Sequence, residues 1–412
     1  MLPEGWRQTK LGDLYSFKNG LNAEKSAYGA GTKFVNVMDV FGNDVLTADR
    51  VVGSITVSKK QLANMTVERG DVLFNRTSET AEEIALSAVY LDDEPITFGG
   101  FVIRGRPVSN AVFPKFSMYA LQSSSVRREM IRRAQGGIRA NIGQGDIAAV
   151  SIALPPRQEQ IRIADLLKTW DEAIETVDKL IETARAQKKA LMQQLLTGKR
   201  RLPGFEGAWE RVSLGEVANI LVSNVDKKNV TGERAVQLCN YMDVYRATEI
   251  VAGTHYMVAT ATSAQIGKFG LRGGDVLITK DSETPADIAV SAFVPEDNPG
   301  LVCGYHLAII RPQQAGIGRF LKYVFDLPDV RNYFASRANG ATRFGLTIDA
   351  ITSAPIQLPS QDECRAVAEV IKFADADVAS LTGQRNHLEI EKRALMQQLL
   401  TGKRRVKLEE MA

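Results

Sequence analysis

Two stretches of this chain are almost identical, and they constrain its fold more than any other feature. Residues 188–201 read KKALMQQLLTGKRR and residues 392–405 read KRALMQQLLTGKRR, so 13 of 14 positions agree at an offset of 204 in a chain of 412 residues. A repeat whose period is close to half the chain length indicates that one structural unit occurs twice. Each copy closes a long amphipathic pattern, which predicts the same helix end in both halves.

The first half predicts a mixed α/β domain over residues 1–155. Residues 115–134 have the composition and the spacing of a helical region. Glycine pairs predict turns at Gly29 with Gly31 and at Gly136 with Gly137. Apolar runs predict strands at KFVNVMDV, which ends near Asp39, and then at DVLFN, IALSAVY, FGGFVIRGRP and AAVSIAL.

A long helix is predicted over residues 156–200, because the apolar period changes there from 2 to about 3.5. A proline opens it, and Gly198 followed by three basic residues closes it. About 40 residues make a rod roughly 60 Å long. The apolar seam consists of Ile163, Leu167, Trp170, Ile174, Val177, Ile181, Ala184, Leu191 and Leu195.

The second half repeats this organisation, with a domain over residues 201–359, a helix over 360–405 and a tail over 406–412. Ser360 and Glu363 have the spacing of a capping box at the start of the second helix. Lys188 and Lys392 interrupt the two seams in one register, which either fixes how the helices align or reflects lysines that snorkel at a frayed end. The second seam consists of Val367, Ile371, Ala374, Val378, Leu381, Leu388, Leu395 and Leu399.

Two helices with apolar seams, separated by a domain, can bury those seams against each other in an antiparallel coiled coil. The fold class that follows is α+β, with two mixed α/β domains joined by the two helices in a pseudo-twofold arrangement. Two similar heads at a fixed separation suit a partner with two sites at a fixed separation. DNA is such a partner, since its major grooves recur every ~34–36 Å.

Motifs for catalysis are missing. Each Gly-Lys pair is followed by Arg or Phe, which excludes a P-loop of the usual sequence, and none of the three histidines recurs at the matching place in the other half. The three cysteines are far apart and without metal-ligand spacing, which predicts reduced thiols and no metal site. The lack of a long apolar run predicts a cytoplasmic protein without a membrane partner.

The indications of nucleic-acid binding are local, because the net charge is only +3. Arg76 and Lys280 follow equivalent strands, and Arg139 and Arg343 follow equivalent glycine-rich turns. Polar loops of this kind can reach phosphates or base edges, although solvated loop charges would give the same pattern. The candidate DNA-binding residues are Asn75, Arg76, Thr77, Arg133, Arg139, Asn141, Lys280, Asp281, Arg337 and Arg343.

The helix sequences also carry a family resemblance. LPPRQEQIRIADLL with KKALMQQLLTGKRRLPGF resembles the central conserved region of the specificity subunit of type I restriction-modification systems, and LPSQDECRAVAEVI with ALMQQLLTGKRR resembles its C-terminal conserved region. Two WxxxxLG openings and two GDVL segments extend the similarity over nearly the whole chain. The second copy departs from the pattern at Asp362 and Cys364, where the first has Gln158 and Gln160.

The resemblance implies a non-catalytic subunit with two target recognition domains, each reading one half of a split, asymmetric sequence in double-stranded DNA. It implies that the helices set the gap and dock two methyltransferase subunits. It also implies that this chain holds no cofactor, since the methyltransferases use S-adenosylmethionine to methylate adenine, and motor-nuclease subunits use ATP and Mg²⁺. Two other functions remain open: a stand-alone nuclease or methyltransferase, and a scaffold that clamps proteins.

Overall fold

The structure is a computed structural model, and it describes residues 2–136 and 139–407. Its contacts divide the chain into two compact units. The first unit combines the chain up to residue 178 with the chain from residue 383 onward, and the second consists of residues 179–382. The predicted turn residue Gly137 and the last five residues of the predicted tail lie outside the described residues.

The first unit is built on a mixed sheet with the strand order β2-β10-β6-β8-β4. A smaller sheet has the order β5-β3-β9, and β1 pairs with β12 and β7 with β11. The strands are β1 (Arg7–Lys10), β2 (Tyr15–Asn19), β3 (Tyr28–Val35), β4 (Val45–Leu46), β5 (Ser54–Ile55), β6 (Val72–Asn75), β7 (Thr77–Ser78), β8 (Ser87–Tyr90), β9 (Thr97–Phe98), β10 (Val102–Pro107), β11 (Ala140–Asn141) and β12 (Ser151–Leu154). The helices are α1 (Leu11–Leu14), α2 (Val37–Val40), α3 (Lys59–Met65), α4 (Pro114–Gln122), α5 (Ser124–Arg133), α6 (Gln144–Ala148) and α7 (Arg157–Leu195), of which α7 continues into the second unit.

The second unit repeats this topology. Its main sheet has the order β14-β21-β17-β19, a smaller sheet has the order β16-β15-β20, and β13 pairs with β23 and β18 with β22. The strands are β13 (Glu210–Ser213), β14 (Ala218–Val222), β15 (Arg234–Cys239), β16 (Met257–Ala261), β17 (Val276–Thr279), β18 (Asp281–Ser282), β19 (Ser291–Phe293), β20 (Leu301–Cys303), β21 (Leu307–Pro312), β22 (Phe344–Gly345) and β23 (Pro355–Leu358). The helices are α8 (Leu214–Val217), α9 (Tyr241–Arg246), α10 (Ser263–Phe269), α11 (Gly318–Phe325), α12 (Pro328–Arg337), α13 (Ile348–Thr352) and α14 (Gln361–Leu399). The predicted α+β class and internal repeat are therefore confirmed.

Two local predictions were wrong, and a third is confirmed with an interruption. The strand predicted to end near Asp39 ends at Val35, because the Asp39 carboxylate accepts a 2.7 Å hydrogen bond from the Asn36 N–H and starts the helical turn α2. The glycines of YGAGTKF lie inside β3, where φ values of +101° and +95° accompany a register shift instead of a turn. The helical region over 115–134 is two helices, since Ser123 is extended between them.

The two long helices lie within the predicted segments and end as predicted. Gly198 and Gly402 have φ values of +68° and +71°, which glycine adopts readily after a helix. The N–H of Arg200 donates to the carbonyl oxygen of Gln194 at 3.1 Å, and the N–H of Arg404 donates to that of Gln398 at 3.2 Å. These bonds satisfy carbonyls in the last turn of each helix.

The core of each unit includes residues from both long helices. In the first unit, Ile163 and Leu167 of α7 share a core cluster with Leu399 and Leu400, at the end of α14. In the second unit, the cluster contains Val367 and Ile371 of α14 together with Met192, Leu195 and Leu196, at the end of α7. The predicted seam residues are all buried or half-buried. The units therefore differ from the linear division that the sequence predicted.

Candidate nucleic-acid interface

In the first unit, a short ribbon brings together three of the predicted DNA-binding residues. Strands β7 and β11 pair in antiparallel register with Thr77 opposite Asn141. The Asn141 side-chain amide donates to the carbonyl oxygen of Arg139 at 3.1 Å. Arg139 and Asn141 are exposed, and the guanidinium of Arg139 lies 3.7 Å from the Glu79 carboxylate. The ribbon thus presents a cation, an amide and a hydroxyl on one short piece of surface.

Asn75 and Arg76 are held inside the base of this ribbon. The Asn75 side chain is 1% exposed, where it donates to the Glu83 carbonyl oxygen at 3.3 Å and accepts from the Thr77 N–H at 3.2 Å. A DNA contact at Asn75 does not fit this placement, because the amide is used to shape the loop. The half-buried Arg76 donates to the Gly100 carbonyl oxygen at 3.3 Å.

An exposed aromatic residue that the sequence reasoning missed adjoins Arg76. The Arg76 N–H donates to the carbonyl oxygen of Phe101 at 2.9 Å, and the Phe101 side chain is 64% exposed. A single exposed apolar side chain is common on protein surfaces, so Phe101 is of interest here because of its place beside the ribbon. The sequence signal was weak, since Phe101 lies inside an ordinary strand-like run over residues 98–107.

The second unit forms the same ribbon with different side chains. Asp281 of β18 lies opposite Gly345 of β22, and its carboxylate is 3.0 Å from the Lys280 ammonium and 2.8 Å from His306 Nδ1. The Lys280 N–H donates to the His306 carbonyl oxygen at 2.9 Å, which is the counterpart of the bond between Arg76 and Phe101. His306 therefore occupies the place of Phe101, although the sequence reasoning treated it as an isolated histidine.

A pocket of about 460 Å³ opens beside this second ribbon. Its lining includes Asp281, His306 and Arg343, so two of the predicted residues are brought together there. Tyr241 and Tyr245 line the same pocket and stack with ring centroids 5.6 Å apart. The sequence reasoning missed both tyrosines because the helix that carries them was predicted as the end of a strand.

The remaining predicted cations lie at helix ends. Arg133 forms a 2.9 Å ion pair with Glu129 and also donates to the Ala149 carbonyl oxygen at 3.3 Å. Its neighbour Arg127 donates to the carbonyl oxygens of Glu82 and Ile84, and burial lowers the pKa of this guanidinium. Arg337 is exposed, with its guanidinium 4.0 Å from the centre of the Tyr333 ring. Most of the arginine cluster on α5 therefore serves internal contacts.

In each unit, a tyrosine, an aspartate and a lysine connect the α/β domain to both long helices. In the first unit, the Tyr119 hydroxyl donates to the Asp171 carboxylate at 2.5 Å, and Lys392 forms an ion pair with the same carboxylate. In the second unit, Tyr323 donates to Asp375 at 2.7 Å, and Lys188 pairs with Asp375. Burial raises the pKa of both tyrosines, so both hydroxyls stay protonated donors. The two lysines thus link the helices, as the first of the two predicted readings requires.

A buried glutamate makes a second tie at the start of each long helix. The fully buried Glu159 carboxylate accepts from Trp6 Nε1 at 3.0 Å and from Arg405 at 2.9 and 3.2 Å. Glu363 accepts from Arg201 at 2.5 and 2.6 Å. The predicted capping box at Ser360 is therefore half formed, since Glu363 donates its N–H to the Ser360 hydroxyl at 3.3 Å while its carboxylate binds Arg201.

Other chemistry is sparse in the described structure. Among residues 2–136 and 139–407, no three or more His, Cys, Asp or Glu side chains are grouped so as to hold a metal ion. No helix within the same ranges combines the length and the apolar character that a membrane span requires. The three cysteines are free and buried, and burial raises the pKa of Cys364 to about 12. What the two ribbons offer is a surface of cations, amides and aromatic rings suited to base edges and phosphates.

Comparisons with known proteins agree on one family. A family model described as the type I restriction modification DNA specificity domain matches residues 3–185. The putative type I restriction enzyme MjaX specificity subunit of Methanocaldococcus jannaschii is 24% identical, over 98% of this chain and 95% of that protein.

Two solved structures share the fold over nearly their whole length. One chain, from work on complex assembly and conformational transition of the type I R-M system, has a TM-score of 0.63 and 19% identity, covering 98% of this chain and 99% of its own. The type I restriction-modification S subunit from M. genitalium has a TM-score of 0.55 and 15% identity, with coverages of 97% and 96%.

Proposed function

Because this chain belongs to the family of specificity subunits of type I restriction-modification systems, we propose that it is the sequence-reading subunit of such a complex. Each unit reads one half of a bipartite, asymmetric target in double-stranded DNA. The long helices set the spacing between the halves and dock two methyltransferase subunits.

The observation that carries this proposal is that the two ribbons share one backbone pairing but present different side chains. The ribbons pair in the same way, but Thr77 in the first unit is replaced by Asp281 in the second, and Phe101 by His306. A hydroxyl and an apolar ring make different contacts with base edges than a carboxylate and an imidazole do. Two readers with one scaffold and different contact groups suit a target whose halves differ.

The chemistry of modification and cleavage is assigned to partners. The chain binds no cofactor of its own, the methyltransferase subunits bring S-adenosylmethionine, and motor-nuclease subunits bring ATP and Mg²⁺. Its contribution is to place the target adenine for a partner that takes the base out of the duplex. Because the proposed complex acts on DNA inside the cell, we expect it in the cytoplasm.

The first prediction separates the two readers. The chain is co-purified with its host's methyltransferase subunit, and methylated adenines are mapped on a library of random duplexes. Arg139→Ala is expected to weaken or relax only the half-site of the first unit, and Arg343→Ala only the other. Loss of a base contact worth about 1–3 kcal/mol corresponds to roughly 5- to 150-fold at the affected position.

Arg185→Ala serves as the matched control, since Arg185 is an exposed arginine on α7 and is not a residue of either ribbon. It should leave both half-sites unchanged. An equal loss on every sequence from Arg139→Ala and Arg343→Ala would make these residues phosphate contacts rather than readers. Methyl transfer or cleavage by the purified chain alone would favour a stand-alone enzyme and overturn the proposal.

A further inference from the structure

The ribbon of the second unit holds a carboxylate between two donors. The Asp281 side chain on β18 is 30% exposed. Its Oδ1 atom lies 3.0 Å from the Lys280 ammonium, and its Oδ2 atom lies 2.8 Å from His306 Nδ1. Because an ionised carboxylate only accepts hydrogen bonds, Nδ1 is the nitrogen that carries the imidazole proton. The position of the carboxylate is therefore fixed from two sides.

The strand opposite Asp281 leaves room for this carboxylate. The cross-strand partner is Gly345, which has no side chain. A Cβ atom at Gly345 would come 3.1 Å from Asp281 Oδ1, which is tighter than an ordinary van der Waals contact. In the first unit the same place is taken by Asn141, opposite Thr77. The second unit therefore differs from the first both in the charged side chain and in the space beside it.

Both oxygens of Asp281 have acceptor capacity left. An ionised carboxylate offers about four lone-pair sites. In the described structure, one hydrogen bond from Lys280 and one from His306 occupy two of these sites. Asp281 also lines the pocket of about 460 Å³ beside the ribbon. A ligand that enters this pocket can therefore donate a hydrogen bond to a carboxylate that is already in place.

The surroundings of Asp281 offset its charge. A lone carboxylate is repelled by DNA, which carries one negative charge per ~1.7 Å of helix axis. In and beside this pocket, with His306 counted as neutral, three cations balance three carboxylates: Lys227, Lys280 and Arg343 against Asp281, Glu283 and Asp287. An acceptor is thus presented on a surface that has no net negative charge.

The major groove of DNA contains only two kinds of donor for such an acceptor. They are the exocyclic amino groups at N6 of adenine and at N4 of cytosine. The other polar atoms there, such as guanine O6 and thymine O4, are acceptors, so a carboxylate repels them. Every base pair presents one amino group, on one of its two strands. A fixed carboxylate therefore selects the base pair, and the orientation of that base pair, that bring an amino group to it.

We propose that Asp281 is a specificity-determining residue of the second unit, and that it accepts a hydrogen bond from the exocyclic amino group of an adenine or a cytosine in its half-site. This inference rests on the proposed function, because it requires the second ribbon to lie in the major groove of DNA. Lys280 and His306 are positioning residues, since they hold the carboxylate in place. The first unit has Thr77 at the equivalent place, so it reads its half-site without this carboxylate.

The test combines a change in the protein with a change in the DNA. The unaltered full-length chain and its Asp281→Ala variant are each assembled with the host's methyltransferase subunit. Selection from random duplexes identifies the base pair at which Asp281→Ala loses its preference. The amino group of that base pair is then removed, with purine in place of adenine or pyrimidin-2-one in place of cytosine, and Kd is measured by fluorescence anisotropy.

We expect the missing amino group to weaken binding by the unaltered complex at least about fivefold more than binding by the Asp281→Ala complex. Comparing the two losses cancels any effect of the altered base on the duplex itself. Asp281→Val, whose β-branched side chain suits a strand, should behave like Asp281→Ala and shows that the result does not depend on misfolding. Equal losses in the unaltered and variant complexes would overturn the proposal, and so would an Asp281→Ala complex that loses affinity equally on every sequence. Selection of no sequence by the unaltered complex would instead overturn the proposed function, and this inference with it.

Glu283→Ala is the matched control, because it removes the same charge from an exposed residue of the same pocket. It should keep the full penalty for the missing amino group. A penalty lost as completely as in Asp281→Ala would assign the effect to the charge of the pocket and overturn the role of Asp281. His306→Phe places here the residue type of the first unit and should reduce the penalty, because the carboxylate is then held from one side. An unchanged penalty would show that His306 does not position Asp281.

Discussion

At the scale of single residues, Glu159 stands out as a buried carboxylate that accepts hydrogen bonds from two other side chains. Its carboxylate is 0% exposed and receives hydrogen bonds from both Trp6 and Arg405. The second unit differs, since Glu363 binds Arg201 while the indole N–H of Trp209 is buried with no hydrogen-bond partner in the described structure. In the first unit the glutamate therefore binds both the tryptophan and the arginine. In the second unit the corresponding glutamate binds the arginine, and the tryptophan N–H lacks a partner in the described structure.

Replacing Glu159 with Ala should destabilise the protein by about 1–3 kcal/mol, because it leaves the buried indole N–H of Trp6 without an acceptor. Urea unfolding followed by tryptophan fluorescence measures the loss. Trp6→Phe removes the stranded donor, so Trp6→Phe combined with Glu159→Ala should cost less than the two single changes added together. Additive losses would show that Trp6 and Glu159 do not interact.

At the scale of elements, ion pairs fix the register of the long helices within each unit. In the first unit, Asp171 pairs with Lys392 and Asp178 with Arg385. The residue numbers of the partners on α14 therefore fall as those on α7 rise. The two segments are therefore antiparallel. Since a charged pair meets only in one register, the pairs discriminate against shifted packing of the apolar seam.

Charge exchange tests this register. Lys392→Asp should lower the melting temperature, because it places two carboxylates beside the Tyr119 hydroxyl. Adding Asp171→Lys should restore most of the loss by rebuilding the pair in reverse. Asp171→Lys should give no such rescue to Lys188→Asp, whose partner is Asp375. Equal rescue of both variants, seen by calorimetry, would mean that general charge balance rather than pairing sets the stability.

The elements were largely predictable from sequence, and their contacts were not. Period and capping signals predicted both long helices because these signals are local. Asn75 looked like an exposed loop residue, but its burial depends on carbonyls and N–H groups of the folded loop. His306 and Phe101 could not be matched by the 204-residue offset, since the copies differ there by one residue. Only strand pairing brings such residues to equivalent positions.

At the scale of the whole molecule, two identical Leu-Leu pairs serve different units. Leu399 and Leu400 fill the core of the first unit, although they lie near the end of the chain, while Leu195 and Leu196 fill the core of the second. A linear reading of the sequence assigns each pair to the domain that precedes it. The contact map reverses this assignment.

Alanine substitution exposes the difference. Leu399→Ala with Leu400→Ala should destabilise the first unit by about 2–5 kcal/mol for each buried leucine. Hydrogen exchange measured by mass spectrometry should rise in β6 and β10 and stay low in β17 and β21. Leu195→Ala with Leu196→Ala is the matched control in the same sequence context, and it should give the opposite pattern. Loss of protection in both units from either variant would mean that the chain unfolds as one cooperative body.

The placement of Leu399 and Leu400 also sets the order in which the protein can be completed during synthesis. Most of the first unit lies before residue 179, yet Leu399 and Leu400, which complete its core, are translated only after residues 179–382. The other unit has its leucines before the rest of its core emerges. The first unit therefore exposes apolar core surface for longer during synthesis than the second unit does. Exposed apolar surface is the condition in which nascent chains aggregate or recruit chaperones. A prematurely terminated chain lacks these leucines, and its N-terminal unit stays unfinished.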